Sequence, residues 1–269
     1  MKGLLLFIII VPILIFLIFR KRKARVVNLP DNFRQLLNEH VVYYRQLNDA
    51  DKLRFDDRIR EFLSYVRIHG VNTETDDLDK LLVASSAVIP TFGFDWHYYN
   101  LRDVLLYPDR FSNDDFSLTS NERYTLGMVG TGPMQRMMIL SRPALRQGFK
   151  NENSGSNTGI HEFVHLLDKA DGETDGIPTQ LLSRQYTIPW IQYMSEEIER
   201  IKAGESDINI YGASSRGEFF AVAAEYFFSA PERFESTHPQ LFNLMEKIFH
   251  QGPGKKKAPR SEEIRNGQQ

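Results

Sequence analysis

The sequence HEFVHLLD occupies residues 161–168, near the middle of the chain. Residues four positions apart lie on the same face of an α-helix, one turn from each other. Read as a helix, this stretch places the imidazoles of His161 and His165 side by side, pointing the same way. Phe163 and Leu167 turn toward other faces, where they can anchor the helix in a core. The stretch therefore predicts a helix with a polar face that can hold a divalent metal.

Glu162 stands between the two histidines, where a carboxylate can take a proton from a water molecule beside the metal. Two histidines at this spacing, with a glutamate after the first, form the H-E-x-x-H arrangement of zinc peptidases. Because the motif is short, a helix with one core histidine and one surface histidine is the alternative interpretation. The rest of the chain has to distinguish the two.

Composition limits the kinds of site that the chain can build. Its 269 residues are 42% hydrophobic and 25% charged, which is enough for a packed core in one large domain or two small ones. The chain contains no cysteine, so disulfides, thiolate nucleophiles and cysteine zinc sites are excluded. Any metal must be held by histidine, aspartate or glutamate.

An unbroken apolar run covers residues 3–19. As a helix it is about 25 Å long, near the short limit for a membrane span. Five basic residues follow at positions 20–25, whereas a cleaved signal peptide has its basic residues first. The positive-inside rule then places the body from residue 26 on the cytoplasmic side, so we expect a single-pass anchor in the lipid bilayer of a bacterial inner membrane.

The charge of the body argues against a nucleic-acid partner. Lys2 and the basic residues at 20–25 carry six of the 33 positive charges. The rest of the chain has 27 positive and 35 negative charges. We expect no direct nucleic-acid binding by such an acidic body.

Hydrophobic periodicity predicts a mostly helical α+β fold with a small sheet. Apolar runs that end at turn residues predict strands over residues 104–107 and 137–140. We expect a loop over 111–123, a flexible glycine-rich connection over 127–133, and an N-cap for the motif helix at Ser156 or Asn157. Gly70 is expected to end the second helix as its C-cap. Helices are predicted over residues 31–47, 50–68, 76–90, 188–202, 214–228 and 239–250.

A catalytic zinc needs a third protein ligand. The metzincin continuation is absent, because Asp168 and Asp171 stand where that class has glycine and histidine. Glu218 and Glu225 are seven residues apart, so they share one face of an otherwise apolar helix and either can be the ligand. Glu218 is slightly favoured by its place in the first turn.

Two further polar residues are candidates for the same site. The hydroxyl of Tyr211, seven residues before Glu218, can donate to an oxyanion, although a packing tyrosine is equally consistent with its position. Asp168 shares the face of His165 and can accept a hydrogen bond from that imidazole, or it can be an ordinary aspartate on the helix surface.

Residues 161–168, 175–178 and 211–227 together resemble the Mlc titration factor A (MtfA) family of zinc metallopeptidases. The same blocks are distantly similar to the catalytic domain of anthrax lethal factor. The resemblance extends over about residues 33–250. It implies a gluzincin-like fold and one Zn2+ per chain, held by His161, His165 and Glu218.

The resemblance also implies roles for the remaining candidates. Glu162 becomes the general base and Tyr211 helps to stabilise the transition state, while Glu225 becomes a candidate to hold a ligand imidazole, as Asp168 already is from its position. The member that gives the family its name binds a glucose-responsive repressor, so the resemblance suggests a transcription regulator as a partner besides a peptide or protein substrate. The apolar run at residues 3–19 departs from the family pattern.

These observations predict three regions: an anchor with its basic flank (1–25), a zinc metallopeptidase domain (26–251) and a disordered tail (252–269). The domain divides into a helical part (26–100) and a catalytic part (101–251). The predicted function is membrane-anchored hydrolysis of peptide bonds, with the strand at 137–141 receiving the substrate as an added strand. The alternative is a regulatory protein that sequesters a transcription repressor on the zinc fold.

Overall fold

The computed structural model describes residues 25–109, 111–112, 124–125, 127–129, 136–151 and 154–253. The predicted anchor at residues 3–19 lies outside these residues, as does most of the predicted tail. Among the helices within the described ranges, none is long and apolar enough to cross a membrane.

The N-terminal part is helical, as its periodicity predicts. Residues 31–47 form two helices instead of one, because Val41 is extended (φ −120°, ψ 96°) and buried. The helix predicted from residue 76 is confirmed, with a reciprocal cap between Asp76 and Asp79. The helices are α1 (Phe33–His40), α2 (Val42–Arg45), α3 (Asp49–Tyr65) and α4 (Asp77–Thr91).

A strand that the periodicity did not predict follows α3. This helix ends at Tyr65, Val66 is extended, and β1 (Arg67–Gly70) begins at the next residue. The predicted helix to residue 68 and the C-cap role of Gly70 are therefore wrong. Gly70 is the last residue of β1 and packs against Thr73. A Cβ at position 70 would lie 1.9 Å from the Thr73 carbonyl oxygen.

The sheet has four strands in the order β1-β2-β6-β5. β1, β2 and β6 are parallel, and β5 runs antiparallel to β6. The strands predicted at 104–107 and 137–140 are confirmed, whereas β3 and β5 lie where a loop and a flexible connection were expected. The remaining strands are β2 (Asp103–Tyr107), β3 (Phe111–Ser112), β4 (Tyr124–Thr125), β5 (Gly127–Val129) and β6 (Met137–Ser141).

The C-terminal part is again helical. The three helices predicted near residues 188–202, 214–228 and 239–250 are confirmed with small shifts in their bounds, while α5 and α9 were not predicted. The helices are α5 (Arg142–Lys150), α6 (Thr158–Asp168), α7 (Arg184–Lys202), α8 (Arg216–Ser229), α9 (Pro231–Thr237) and α10 (Pro239–Phe249). Short 3-10 turns cover Lys169–Asp171 and Ile210–Ala213.

Helix α6 lies at the centre of the molecule, between α4 and α8. Its face toward α4 is so close that a Cβ on Gly159 would lie 2.1 Å from the Ser86 hydroxyl oxygen. Phe163 and Leu167 are fully buried in the core that these helices share. The fold is thus mostly helical with a small, largely parallel sheet, and its core fixes the helix that carries the histidines.

Candidate metal centre

The histidine helix begins at a capped N-terminus, as predicted. The Asn157 side chain accepts a hydrogen bond from the Ile160 amide at 3.1 Å, which satisfies one of the free donors of the first turn. His161 and His165 lie in the turns that follow. Their Nε2 atoms are 3.0 Å apart and both point to one side of the helix. The structure therefore brings the two imidazoles together as their spacing predicts.

Glu218 comes to the histidines from α8. Ser215 caps this helix by accepting from the Glu218 amide at 3.1 Å, which fixes the first turn. The Glu218 Oε2 atom lies 3.0 Å from Nε2 of His161 and 3.4 Å from Nε2 of His165. Within the described part of the chain, His161, His165 and Glu218 are the group of residues whose ligand atoms could hold a metal ion.

The ligand atoms of His161, His165 and Glu218 form a triangle whose size suits a small divalent metal. Ligands about 2.0–2.1 Å from a tetrahedral metal lie about 3.3 Å from each other, and the three donor separations of 3.0–3.4 Å match that value. Two imidazole nitrogens and one carboxylate oxygen favour zinc or another transition metal over calcium or magnesium. The arrangement leaves a further coordination position for a water molecule.

Glu225 holds the back of the His161 ring. Its Oε1 atom accepts from Nδ1 of His161 at 2.6 Å, so the proton of the neutral imidazole resides on Nδ1 and Nε2 keeps its lone pair. Its Oε2 atom accepts from the Asn157 amide at 2.6 Å and the Ser156 hydroxyl at 3.0 Å. The seven-residue spacing thus directs both glutamates of α8 to the same histidine, one to each ring nitrogen.

Glu162 is buried beside the cluster, with only 6% of its surface exposed. Burial raises the pKa of its carboxyl group, while the neighbouring His161 and His165 act in the opposite direction. A carboxylate with raised proton affinity suits a general base, because the optimal pKa for proton transfer lies near the working pH.

Tyr211 lies in the 3-10 turn before α8 and is 55% exposed. Its ring centroid is 6.0 Å from that of His161. Partial burial and then the Glu218 carboxylate raise the pKa of its hydroxyl, which therefore remains a protonated donor at neutral pH. The predicted oxyanion donor is thus near the cluster and open to solvent.

The charges of the cluster favour either a proton or a metal between the ligands. Burial opposes the charged form of His161, but Glu225 and Glu218 outweigh this and raise its pKa well above the usual value. The hydrogen bonds from His161 and His165 overcome burial and hold the pKa of Glu218 far below its usual range. Metal ligands must be deprotonated, so protons compete with the metal for this position.

Asp168 does not make the hydrogen bond to His165 that its position allows. Nδ1 of His165 and Oδ1 of Asp168 are both buried without a hydrogen-bond partner among the described residues. Instead, Oδ2 of Asp168 accepts from the Gly176 amide at 2.9 Å. Asp168 is fully buried, so the surface alternative is also wrong, and it fixes the loop after α6.

Gly176 and Trp190 belong to the support of the site, and the sequence reasoning missed both roles. The Trp190 indole donates to the Gly176 carbonyl at 2.6 Å. Gly176 has a φ of +75°, and a Cβ there would lie 2.3 Å from the carbonyl oxygen of Arg216, at the start of α8. The loop therefore joins α6 and α7 to the turn that carries Glu218. The turn-forming Asp175-Gly176 pair is the sequence signal that could have indicated this position.

The predicted role of β6 in receiving an added strand is wrong. β6 lies between β2 and β5, so both of its edges are already paired. Among the described strands of the sheet, β5 pairs on one side and also contacts α6. Within the residues that the structure describes, β5 is thus the edge strand that contacts the histidine helix.

Two histidines one helical turn apart, a buried glutamate between them and a glutamate from a later helix together define the class of H-E-x-x-H metallopeptidases. Residues 17–250 match the family described as glucose-regulated metallo-peptidase M90, and the chain belongs to this family. The expected MtfA family is thereby confirmed.

Relatives of similar sequence cover two thirds or more of this chain. Mlc titration factor A of Escherichia fergusonii is 31% identical over 67% of this chain and 71% of its own length. The protein of the same name from Cronobacter sakazakii is 29% identical over 75% of this chain and 78% of its own length. An uncharacterized protein of Synechocystis sp. is 25% identical over 82% of this chain and 84% of its own length.

Proposed function

We propose that this protein is a zinc-dependent peptidase whose metal ligands are His161, His165 and Glu218. The observation that carries the proposal is the triangle of their three donor atoms, 3.0–3.4 Å apart, on buried and capped helices. Membership of a metallopeptidase family supports the same reading. The donor set of two nitrogens and one oxygen favours zinc among the common metals.

The chain's own residues account for the proton movements of peptide hydrolysis. A bound Zn2+ supplies a Lewis acid that polarises a carbonyl group and lowers the pKa of a water molecule. Glu162 takes the proton of the attacking water and passes it to the leaving amine. The Tyr211 hydroxyl donates a hydrogen bond to the oxyanion. Glu225 keeps the His161 ring in the tautomer that leaves Nε2 free.

The substrate chain is proposed to lie along the edge of β5 that faces away from β6. On this edge, the backbone N–H and C=O groups of β5 can pair with an extended peptide. β5 itself contacts the histidine helix, which supports this placement of the substrate. An extended peptide bound there passes the proposed metal position.

Replacing Glu162 by glutamine tests the catalytic role. We expect Glu162→Gln to keep its metal, because the ligands are unchanged, and to lose roughly 10²–10⁴-fold in kcat for peptide hydrolysis. The matched control is Glu173→Gln, an exposed glutamate in the loop after α6, which should leave kcat unchanged. Hydrolysis by Glu162→Gln at the wild-type rate would rule out Glu162 as the base.

Residues 1–25 are proposed to anchor the enzyme in the bacterial inner membrane, with the catalytic domain in the cytoplasm. The apolar run at 3–19 and the basic cluster after it support this orientation. Arg25 contacts the end of α3, where its amide donates to the Ser64 carbonyl at 3.2 Å. The anchor would therefore leave the body beside that helix.

Alkaline extraction of membranes tests the anchor. The full chain is expected in the membrane pellet and residues 26–269 in the supernatant. A protease added to right-side-out vesicles should leave the body intact, because the body is on the cytoplasmic side. Full chain in the supernatant, or a body digested from outside, would contradict the proposal.

Sequestration of a transcription repressor is the second candidate function. The name of the relatives, Mlc titration factor A, favours it. The Glu162→Gln variant separates the two functions in cells. A phenotype that survives this substitution belongs to binding, whereas a phenotype that is lost with it belongs to peptide hydrolysis.

A further inference from the structure

A cavity of about 860 Å³ lies at the C-terminal end of the histidine helix. It is bounded by α3, by the segment after α4, by Arg136 and by the turn that follows α6. None of the proposed metal ligands lines it, and neither Glu162 nor Tyr211 does. Its volume falls within the range of about 300–1,000 Å³ that is usual for small-molecule sites.

One wall of the cavity consists of four consecutive residues with ring side chains, Trp96, His97, Tyr98 and Tyr99. The His97 ring lies 3.8 Å from that of Tyr65 and 4.6 Å from that of Tyr99. Tyr99, at the open end of this row, is 84% exposed. Burial lowers the pKa of His97, so its ring is neutral at neutral pH. A row of flat rings with an open end suits a further aromatic group.

The charges on the other walls favour an anion. Arg58 lies between two carboxylates, with Nε 3.8 Å from Glu61 and Nη1 3.6 Å from Asp95, so these three groups together carry one negative charge. Arg136 and Lys169 also line the cavity, and both are exposed. Neither has an ion-pair partner among the residues that the structure describes. With three cations and two carboxylates, the lining of the cavity keeps a net charge of +1, and its unpaired positive charges are those of Arg136 and Lys169.

We propose that this cavity is a second ligand site, separate from the metal cluster, that binds a small planar aromatic anion. The aromatic part packs on the wall formed by Trp96 to Tyr99, and the anionic group interacts with Arg136 and Lys169. The proposal is independent of peptidase activity, because the cavity and its charges involve none of the catalytic candidates.

Isothermal titration calorimetry of the full chain with 2-naphthoate tests the proposal. Two matched probes separate the contributions: 2-naphthalenemethanol has the ring without the charge, and acetate has the charge without the ring. We expect 2-naphthoate to bind at least about tenfold more tightly than either. Equal affinities for naphthoate and the alcohol, or no binding of naphthoate at millimolar concentration, would overturn the proposal. This comparison needs only the wild-type protein.

Tryptophan fluorescence locates the bound probe. The chain has two tryptophans, and Trp190 is fully buried with its indole bonded to Gly176. Quenching by naphthoate should therefore come from Trp96 and disappear in Trp96→Phe. Quenching that persists unchanged in this variant would place the probe elsewhere and overturn the proposal.

Charge removal tests the two cations. The double variant Arg136→Gln/Lys169→Gln changes exposed side chains only and should keep the wild-type circular dichroism. We expect its affinity for naphthoate to fall about tenfold or more. The control Lys150→Gln removes an exposed lysine that does not line the cavity and should bind naphthoate like the wild type. Equal affinities of the double variant and the wild type would contradict the proposed anion contacts.

Discussion

Glu225 accepts three hydrogen bonds with its two carboxylate oxygens, from His161, Asn157 and Ser156. Glutamine at this position has only one acceptor oxygen, and its amide group would face donors. We therefore expect Glu225→Gln to misplace the His161 ring and to weaken zinc binding about 10–100-fold. Competition with a chromophoric chelator measures this affinity.

The matched control for Glu225 is Glu232→Gln, which removes an exposed carboxylate in the first turn of the next helix. Its zinc affinity should equal that of the wild type. If Glu225→Gln also bound zinc as tightly as the wild type, the hydrogen bond to Nδ1 would have no part in holding the ligand.

Asp168 makes a pH-dependent contribution to stability in the metal-free protein. Burial raises its pKa to about 6, although the Gly176 amide acts in the opposite direction. A carboxyl with a raised folded-state pKa favours the folded state when protonated, so its contribution is lost as pH rises from about 4 to 6. The free energy of unfolding of Asp168→Asn, relative to wild type, should increase over that interval.

Urea unfolding of the two metal-free proteins at several pH values measures this difference. A difference between Asp168→Asn and wild type that stays constant from pH 4 to pH 6 would show that Asp168 does not titrate there.

Local spacing predicted part of the site at the level of residues. The i, i+4 relation placed the histidines together and the i, i+7 relation placed Glu218 and Glu225 on one face of a helix, whereas the choice of Glu218 as the metal ligand came from the family resemblance. Spacing could not assign a ring nitrogen to each glutamate, since that depends on the approach of α8 to α6. Spacing also predicted the wrong hydrogen-bond partner for Asp168. The loop that brings the Gly176 amide to this carboxylate has no regular hydrophobic pattern from which its path could be predicted.

The contact between α6 and α4 depends on a residue without a side chain. Alanine at position 159 would place its Cβ 2.1 Å from the Ser86 hydroxyl oxygen. We expect Gly159→Ala to lower the free energy of unfolding, since overpacking costs about 1–3 kcal/mol and outweighs the gain of about 1 kcal/mol in helix propensity.

A double-mutant cycle with Ser86→Gly isolates this contact. Removing the Ser86 side chain makes room for the new methyl group, so the double variant should be more stable than the sum of the single changes by about 1 kcal/mol or more. Additive effects would mean that the two helices do not interact through these residues.

Periodic elements were predictable, whereas short elements were not. Most long amphipathic helices and both buried apolar strands were found, because each carries its own hydrophobic pattern. β1 is four residues long and directly follows α3, so in the sequence Val66 and Ile68 continue the hydrophobic spacing of that helix, although the backbone is already extended at Val66. α9 is only seven residues long, too short to establish a period.

Gln251, which follows α10, links the C-terminal part of the fold to α4. The side chain is 5% exposed, accepts from the Tyr43 hydroxyl, and donates to the Ile89 carbonyl at 2.8 Å. Gln251→Ala leaves these buried groups unpaired, so we expect a loss of about 1–3 kcal/mol in the free energy of unfolding. Urea denaturation measures the loss.

Two controls show whether the loss in the free energy of unfolding is specific to Gln251. Gln180→Ala removes an exposed hydrogen bond to the Ala170 carbonyl and should cost less than about 0.5 kcal/mol. Truncation after Pro253 should leave stability unchanged. If Gln251→Ala were as stable as the wild type, the hydrogen bonds of Gln251 would not stabilise the fold. Such a contact, 162 residues apart in sequence, cannot be inferred from any local pattern.

The central claim is that α6 and α8 together hold one zinc ion through His161, His165 and Glu218. Elemental analysis of purified wild type and Glu218→Ala, with matching circular dichroism, tests it most directly. The account predicts about one zinc per wild-type chain and a several-fold lower zinc content in Glu218→Ala. A folded wild type without metal, or equal zinc in the two proteins, would contradict it.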